Sequence, residues 1–438
     1  MKVAHLNLGD GYRYGGTAVA TLRLHQTLRK AGINSNILCG YVDGKHEKVD
    51  RLPRPNWIKL FEILVKPIAE EFGLNEFHNF SSFLLRHSPA FKKNDLLHLH
   101  CIHHGYFNYL ALPYLTAEKP AVYTIHDIWA FTGHCSVSYQ CDRWKIGCGQ
   151  CPDLTILPAV KRDNTHLEWK LKQWAYQRSN LSIVSPSTWI TQQVQESILK
   201  NFPIYQIPHG IDTDVFRPID KNYCRLVLGI PSDKKVIMAI GSDSFLKGAD
   251  LLQQSIQSLP ISLQKDIILL VMGKEADFLT QNLNCKVCYV GSVETDSLKA
   301  ILYSAADLFL FPTRGEAFGL VALESLACMT PVVSFRVGGV PDTVRHGQTG
   351  YLAAPESSEE FTQGIVQLLE DSNMRREMGQ RGRQMALNEF SIELEAQRYI
   401  EVYAKMLNLQ ISDSFEISST DNLNQVRCSV REICRHQV

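Results

Sequence analysis

The chain has 438 residues, 45 Lys and Arg balance 45 Asp and Glu, and hydrophobic residues make up 45% of it. That length exceeds one ordinary core and predicts two or three domains, while zero formal net charge excludes a general nucleic-acid-binding surface, which needs a basic excess. No apolar run reaches the roughly 18 residues of a membrane span, and the opening MKVAHLNLGDGYRYGG lacks the apolar core of a secretory leader, so a cytoplasmic location is expected.

In chain order, residues 2–8 form an apolar strand, residues 9–16 a glycine-rich loop, and residues 17–30 a helix by their apolar spacing, ending before Gly32. A strand at 36–39 follows, and this β-loop-α-β opening is the signature of a doubly wound sheet. Further strands are predicted at 96–100, 121–125, 182–185 and 205–208. A second series begins after Val215-Phe216-Arg217-Pro218, with strands at 236–240, 267–272, 286–290, 307–311 and 331–335. Helices at 295–306, 319–328, 341–345 and 359–371 alternate with them. The expected fold class is α/β, two doubly wound, Rossmann-like domains facing a cleft, residues 1–212 on one side and 213–391 on the other. Residues 392–408 read as a terminal amphipathic helix, and the polar stretch 409–438 as a flexible tail.

The first loop is a poor dinucleotide fingerprint. G-x-G-x-x-G would need glycine where Tyr14 stands, and Cys39-Gly40, not an acidic residue, ends the second strand. A nicotinamide enzyme is disfavoured. Gly15 and Gly16 at a helix start still allow backbone N–H groups to approach an anion or sugar; a plain strand-to-helix turn is the alternative. The run FPTRGEAFGLVALESLACMTPVVSFRVGG, residues 311–339, is more telling. A strand ends, a loop carries Glu316, and an apolar helix containing Glu324 begins near Phe318-Gly319. The helix start favours phosphate, and the two carboxylates lie at most about 12 Å apart. That layout suits a ligand with hydroxyl groups at both ends and phosphates between, as in a nucleotide-diphosphate sugar. Taken without context, these residues read first as an ordinary capped helix with one surface glutamate and one in a salt bridge.

The segment E-A-F-G-L-x-x-x-E from Glu316 to Glu324 resembles the E-x7-E motif of the retaining glycosyltransferases of family four (glycosyl transferases group 1), which have the GT-B fold. YSAADLFLFPT, GGVPDTV, HGQTGYLAAP, IPHGIDTDVFRP and the Lys247-Gly248 pair match in order, and TIHDIWAFTGHC with GCGQCP is similar to the colanic-acid, exopolysaccharide-type members. The resemblance covers residues 1 to about 407 and implies a metal-independent, front-face transfer from a UDP- or GDP-linked sugar to a glycan or lipid-linked glycan. It implies catalytic roles for His126 on the sugar side, Glu316 at the donor-sugar hydroxyls and Lys247 at the phosphates. Glu324 would hold the ribose. Phe318, Gly319 and Leu320 would offer amides to the sugar and diphosphate, Gly15 and Gly16 would close on the diphosphate, and the loop at Val293 would meet the base. The terminal helix would cross back to the first domain. Three positions depart from the pattern. Ser242 stands where an arginine of the diphosphate clamp is usual, with Arg314 as a candidate replacement; His209 replaces an asparagine and Met329 a glycine. A sugar-nucleotide epimerase or hydrolase, or a non-catalytic scaffold, are the alternatives.

Of the 12 cysteines, Cys135, Cys141, Cys148 and Cys151 form C-x5-C-x6-C-x2-C beside the His126 strand. A structural zinc, disulfides and unlinked thiols are all open readings, and no cofactor is expected for catalysis. Residues 57–74, WIKLFEILVKPIAEEFGL, read either as a buried amphipathic helix or as a peripheral membrane contact. Arg375, Arg376, Arg381 and Arg383 read as a solvated helix face, and no nucleic-acid partner is expected.

Overall fold

The computed structural model describes residues 1–43, 46–273 and 283–409; the tail expected over 409–438 lies outside them except for its first residue. Two fully parallel sheets organise the chain. The first comprises β1 (Lys2–Asn7), β2 (Asn34–Cys39), β3 (Val49–Arg51), β4 (Leu96–Leu99), β5 (Ala121–Thr124), β6 (Leu181–Ser185) and β7 (Ile204–Gln206), in the order β3-β2-β1-β4-β5-β6-β7. The second comprises β8 (Lys235–Gly241), β9 (Ile267–Gly273), β10 (Lys286–Gly291), β11 (Leu308–Phe311), β12 (Val332–Phe335) and β13 (Gly350–Ala353), in the order β10-β9-β8-β11-β12-β13. Helices cover both faces, so central strands such as IILLVMG and LFLF are apolar throughout. The doubly wound pair expected from the pattern is present; β3 and β13, short edge strands, are additions to it.

The strand order reverses at one point in each sheet, between β1 and β4 in the first and between β8 and β11 in the second. Ligands of open α/β sheets bind outside the carboxyl ends of strands at such points. Both the Gly15-Gly16 loop and the loops carrying Lys247 and Glu316 leave the sheets there. The chain passes between domains twice at one place: Ile211 N–H donates to Phe390 O at 3.0 Å and Ile392 N–H to Ile211 O at 2.9 Å. The helix Ile392–Met406 then packs Ala396, Tyr399, Ile400 and Tyr403 against Val3, Leu28, Leu96 and Val184 of the first domain.

Two side-chain expectations change. Arg383 is not a solvated charge: it donates to Phe216 O at 2.6 Å and Thr213 O at 3.0 Å, tying the helix Ser372–Glu389 to the interdomain segment. Arg375 likewise donates to the carbonyls of Leu368 and Leu369. The helix Asn56–Glu71 is also not buried. Only Ile58, Glu62 and Ala69 face inward, Glu62 accepting from Ser81 N–H at 2.6 Å, while Trp57, Leu60, Phe61 and Leu64 are exposed.

Beneath the terminal helix lies a row of histidines in the first domain's interior. His5 Nδ1 is 3.0 Å from His100 Nε2, and His100 Nδ1 is 3.0 Å from His126 Nε2. His98 meets Thr124 Oγ1 at 2.8 Å and Tyr403 OH at 2.7 Å. Burial, with the neighbouring imidazoles adding to it, holds all four rings well below the usual histidine range, so they are neutral. The unfolded chain takes up protons near pH 6.5 and the folded one does not, so stability present above that pH is lost as pH falls. We predict a thermal midpoint that drops between pH 7.5 and 5.5, each histidine contributing at most about 1.4 kcal/mol per pH unit. A midpoint constant across that range contradicts the neutral row.

Candidate active site in the interdomain cleft

The loop after β8 approaches the end of β11 closely. Gly248 has φ 66°, and a Cβ there would lie 1.9 Å from Pro312 O, so only glycine lets the two loops touch. The contact sets Lys247 Nζ 3.1 Å from Glu316 Oε2. Gly339 N–H donates to Glu316 O at 2.8 Å and fixes that residue's backbone. Arg314 is not free to replace the arginine missing at Ser242. Its guanidinium grips Asp250 through two bonds of 2.8 and 2.6 Å, donates to Glu356 and to Phe245 O, and stacks on the Phe245 ring at 3.8 Å. It braces the Lys247 loop instead.

Two helix N-termini open onto the same space. The helix Leu320–Ala327 starts at Gly319 (φ 98°), and the helix Gly16–Lys30 starts at Gly15; neither has a side-chain cap. The helices that start after Ser187 and Ser391 do have one. Amides left without a capping oxygen, at the positive end of the helix dipole, suit an anion. The cleft between them is a cavity of about 350 Å³ lined by Gly16, Lys247, Glu316, Phe318, Gly319 and Leu320, with His126 and His209 on its wall.

His126 and His209 stack face to face, 5.0 Å between centroids and 8° between planes. His209 Nδ1 lies 3.1 Å from Glu395 of the terminal helix, whose second oxygen accepts from Gly210 N–H at 2.9 Å. His209 is the wall residue that the sequence did not mark; its only signal was the departure from asparagine. Nearby, the ligand nitrogens of His5, His98 and His100 lie within 4.8 Å of one another. Both nitrogens of His98 and of His100 are engaged in hydrogen bonds, so the group is a polar network and not a metal pocket.

Glu324 is placed differently from Glu316. It is 2% exposed, outside the cavity lining, and accepts from Arg23 Nη2 at 2.6 Å and Tyr303 OH at 3.3 Å. Arg23 also pairs with Asp296 at 2.7 Å, so one side chain of the first domain holds two helices of the second. Its Nη1 is buried without a partner. Val293 sits in the second domain's core, and Gly15 flanks the cavity without lining it. Met329 has φ 63°, a left-handed position that explains why glycine is usual there. Cys135, Cys141, Cys148 and Cys151 line a separate small cavity in the loop beside the cleft.

Residues 14–215 match the family model described as Glycosyltransferase Family 4, and residues 222–385 match that of Glycosyl transferases group 1. The chain is 26% identical over 321 residues to N-acetyl-alpha-D-glucosaminyl L-malate synthase of Bacillus anthracis, covering 72% of this chain and 75% of that one. It is 34% identical over 174 residues to D-inositol 3-phosphate glycosyltransferase of Mycolicibacterium paratuberculosis, covering 36% of this chain and 38% of that one. Among solved structures, sucrose-phosphate synthase from Thermosynechococcus elongatus superposes with a TM-score of 0.68 at 22% identity, over 93% of this chain and 99% of that one. Anabaena HepE, solved with UDP and glucose, superposes with a TM-score of 0.66 at 17% identity, over 92% and 100%. With both halves matched and the two-sheet cleft in place, the chain belongs to glycosyltransferase family 4, with the GT-B fold.

Proposed function

We propose that this chain is a retaining glycosyltransferase that moves a sugar from a UDP- or GDP-linked donor to a glycan or lipid-linked glycan in polysaccharide assembly, without a catalytic metal. The observation that carries the reading is the Lys247–Glu316 pair, 3.1 Å apart, set at two uncapped helix starts. A donor diphosphate takes Lys247 as its counter-ion, and Glu316 is then released to accept hydrogen bonds from the sugar hydroxyls. The bond between the sugar's anomeric carbon and the phosphate oxygen breaks, and its electrons stay on that oxygen. Lys247 and the amides of Gly319 and Leu320 stabilise the developing charge. The acceptor hydroxyl attacks the anomeric carbon from the same face and passes its proton to the leaving phosphate. His126 is neutral, and its Nε2 faces His100, which leaves Nδ1 for a sugar hydroxyl.

Products formed from a panel of UDP- and GDP-sugars should keep the donor's anomeric configuration. An inverted product overturns the mechanism; sugar release to water alone makes the chain a hydrolase, and stabilisation by neither nucleotide favours a scaffold. Glu316→Ala should reduce transfer at least about a hundredfold, the loss of one well-placed transition-state contact, with an unchanged thermal midpoint.

The ribose is proposed to meet Glu324 and Arg23 together. A diol brings an acceptor for the unpartnered Arg23 Nη1 and a donor for the carboxylate. Glu324→Gln should then weaken nucleotide binding about tenfold, the equivalent of one charge-assisted hydrogen bond, while turnover at saturating donor persists. Unchanged affinity would leave Glu324 as Arg23's structural partner only.

The exposed helix Asn56–Glu71 favours peripheral contact with the inner face of the cytoplasmic membrane. Trp57, Leu60, Phe61, Leu64 and Ile68 fall at helical spacing on one face, each about half exposed or more, with Lys59 and Lys66 on the same helix. Among the described residues no helix is long and apolar enough to cross a membrane. The protein should co-sediment with anionic vesicles in a salt-sensitive way, and Trp57→Glu with Leu64→Glu should abolish this at unchanged stability. Wild-type protein left in the supernatant removes the membrane role.

A further inference from the structure

Residues 125–164, between β5 and the helix Thr165–Gln177, contain only the short turns Ile128–Phe131 and Arg143–Lys145. A connection of that length without its own ladders needs another source of rigidity. Its root is fixed: the buried Lys172 donates to Trp129 O at 2.7 Å and Thr132 O at 3.1 Å. Further along, Cys135, Cys141, Cys148 and Cys151 line one cavity of about 20 Å³, space for a single atom-sized guest.

We propose that these four sulfurs bind one structural zinc ion, which staples the loop against the donor side of the cleft. The Cys148-x2-Cys151 half is already a tight turn. Gly147, Cys148, Gly149 and Gln150 have φ of 125°, 53°, 83° and 47° in succession, and both cysteines line the cavity. Cys148 Sγ accepts from Gly133 N–H at 3.1 Å, the kind of backbone bond that supports a thiolate ligand. Cys151 Sγ lies 3.3 Å from His134 Nε2, and Pro158 O, 3.0 Å from Nδ1, fixes the other side of that ring. No three of the four sulfurs lie within 4.8 Å of one another, so ligation at about 2.3 Å requires the side chains to turn inward. The four thiols each lose a proton to solvent as the ion enters, four Zn–S bonds replace the bonds to its water ligands, and no electron moves.

The loop reaches the other domain. The Tyr139 ring lies 6.4 Å from Phe245, and Val137 packs beside Gly315, the residue before Glu316. Phe245 carries the Arg314 guanidinium and belongs to the turn that presents Lys247. Zinc in the loop thus stiffens the wall against which the Lys247–Glu316 pair rests, without touching the donor.

Full-length protein purified without chelator should hold about one zinc per chain, and cobalt substitution should give the sulfur-to-cobalt charge-transfer absorption of a tetrathiolate. Removal of the metal should expose the four thiols to a thiol reagent and lower the thermal midpoint. Cys148→Ser with Cys151→Ser should lose the metal, while Cys285→Ser, on the second domain, should keep it. These readouts do not depend on the transfer reaction. Less than roughly half an equivalent of zinc with no uptake of added zinc, or disulfides among the four in alkylated, unreduced protein, overturns the proposal. If the double variant does not fold, the cobalt spectrum of wild-type protein decides: a spectrum without sulfur charge transfer overturns it equally.

Discussion

The buried guanidinium of Arg23 is the constraint on which the cleft depends. It projects from the first helix of one domain and is 7% exposed, yet its partners, Glu324 and Asp296, belong to two helices of the other. Burial works against the charge, but the two carboxylates outweigh it and raise the group above the ordinary arginine range. Such a pair contributes little net stability, because desolvation offsets attraction. Breaking one member is another matter, since it leaves a buried charge uncompensated, at a cost of about 3–5 kcal/mol. Its role is therefore geometric. It fixes how far apart the two uncapped helix starts stand, and the Ser187 hydroxyl on Ala317 O, at 2.6 Å, fixes the same spacing on the far side.

Given that spacing, the electrostatics of the cleft need only a small inventory. Ser242 brings no charge to the cleft, and Arg314 is saturated by Asp250 and Glu356. Among the described residues, Lys247 and the uncapped amides of two helices are the positive groups at the cleft. This is compatible with a chain of zero formal charge: the positive potential of the cleft comes from oriented dipoles and one side chain, not from a basic surface.

The central strands and the Glu316 loop were legible because buried parallel strands are mostly apolar, as in LFLF and IILLVMG, and because long motifs lie around Glu316. The edge strand Val49–Arg51 was not, since three half-exposed residues carry no periodicity. Arg23 was invisible for a different reason. Within its helix it is one polar residue among apolar neighbours, and its partner Glu324 is 301 residues away, a distance over which local pattern says nothing. The same limit hid His209, whose stacking on His126 depends on the return of the terminal helix through Glu395. For the helix Asn56–Glu71, periodicity established two faces but could not say what covers the apolar one.

These contacts link the parts of the molecule through shared atoms. Glu395 holds His209, His209 stacks on His126, and His126 continues into His100 and His5, so the terminal helix, the cleft wall and the first sheet's interior form one polar series. Across the cleft, Glu324 is shared between Arg23 and Tyr303. A ligand that bonds to any of these groups changes the contact its partner makes with the opposite domain. By linkage, the factor by which a ligand strengthens or weakens that contact is the factor by which the contact strengthens or weakens the ligand's binding. The cleft is then shaped by two separate charged sets: Lys247 and Glu316, which line it from one domain, and Arg23 with Glu324 and Asp296, which hold the domains together beside it.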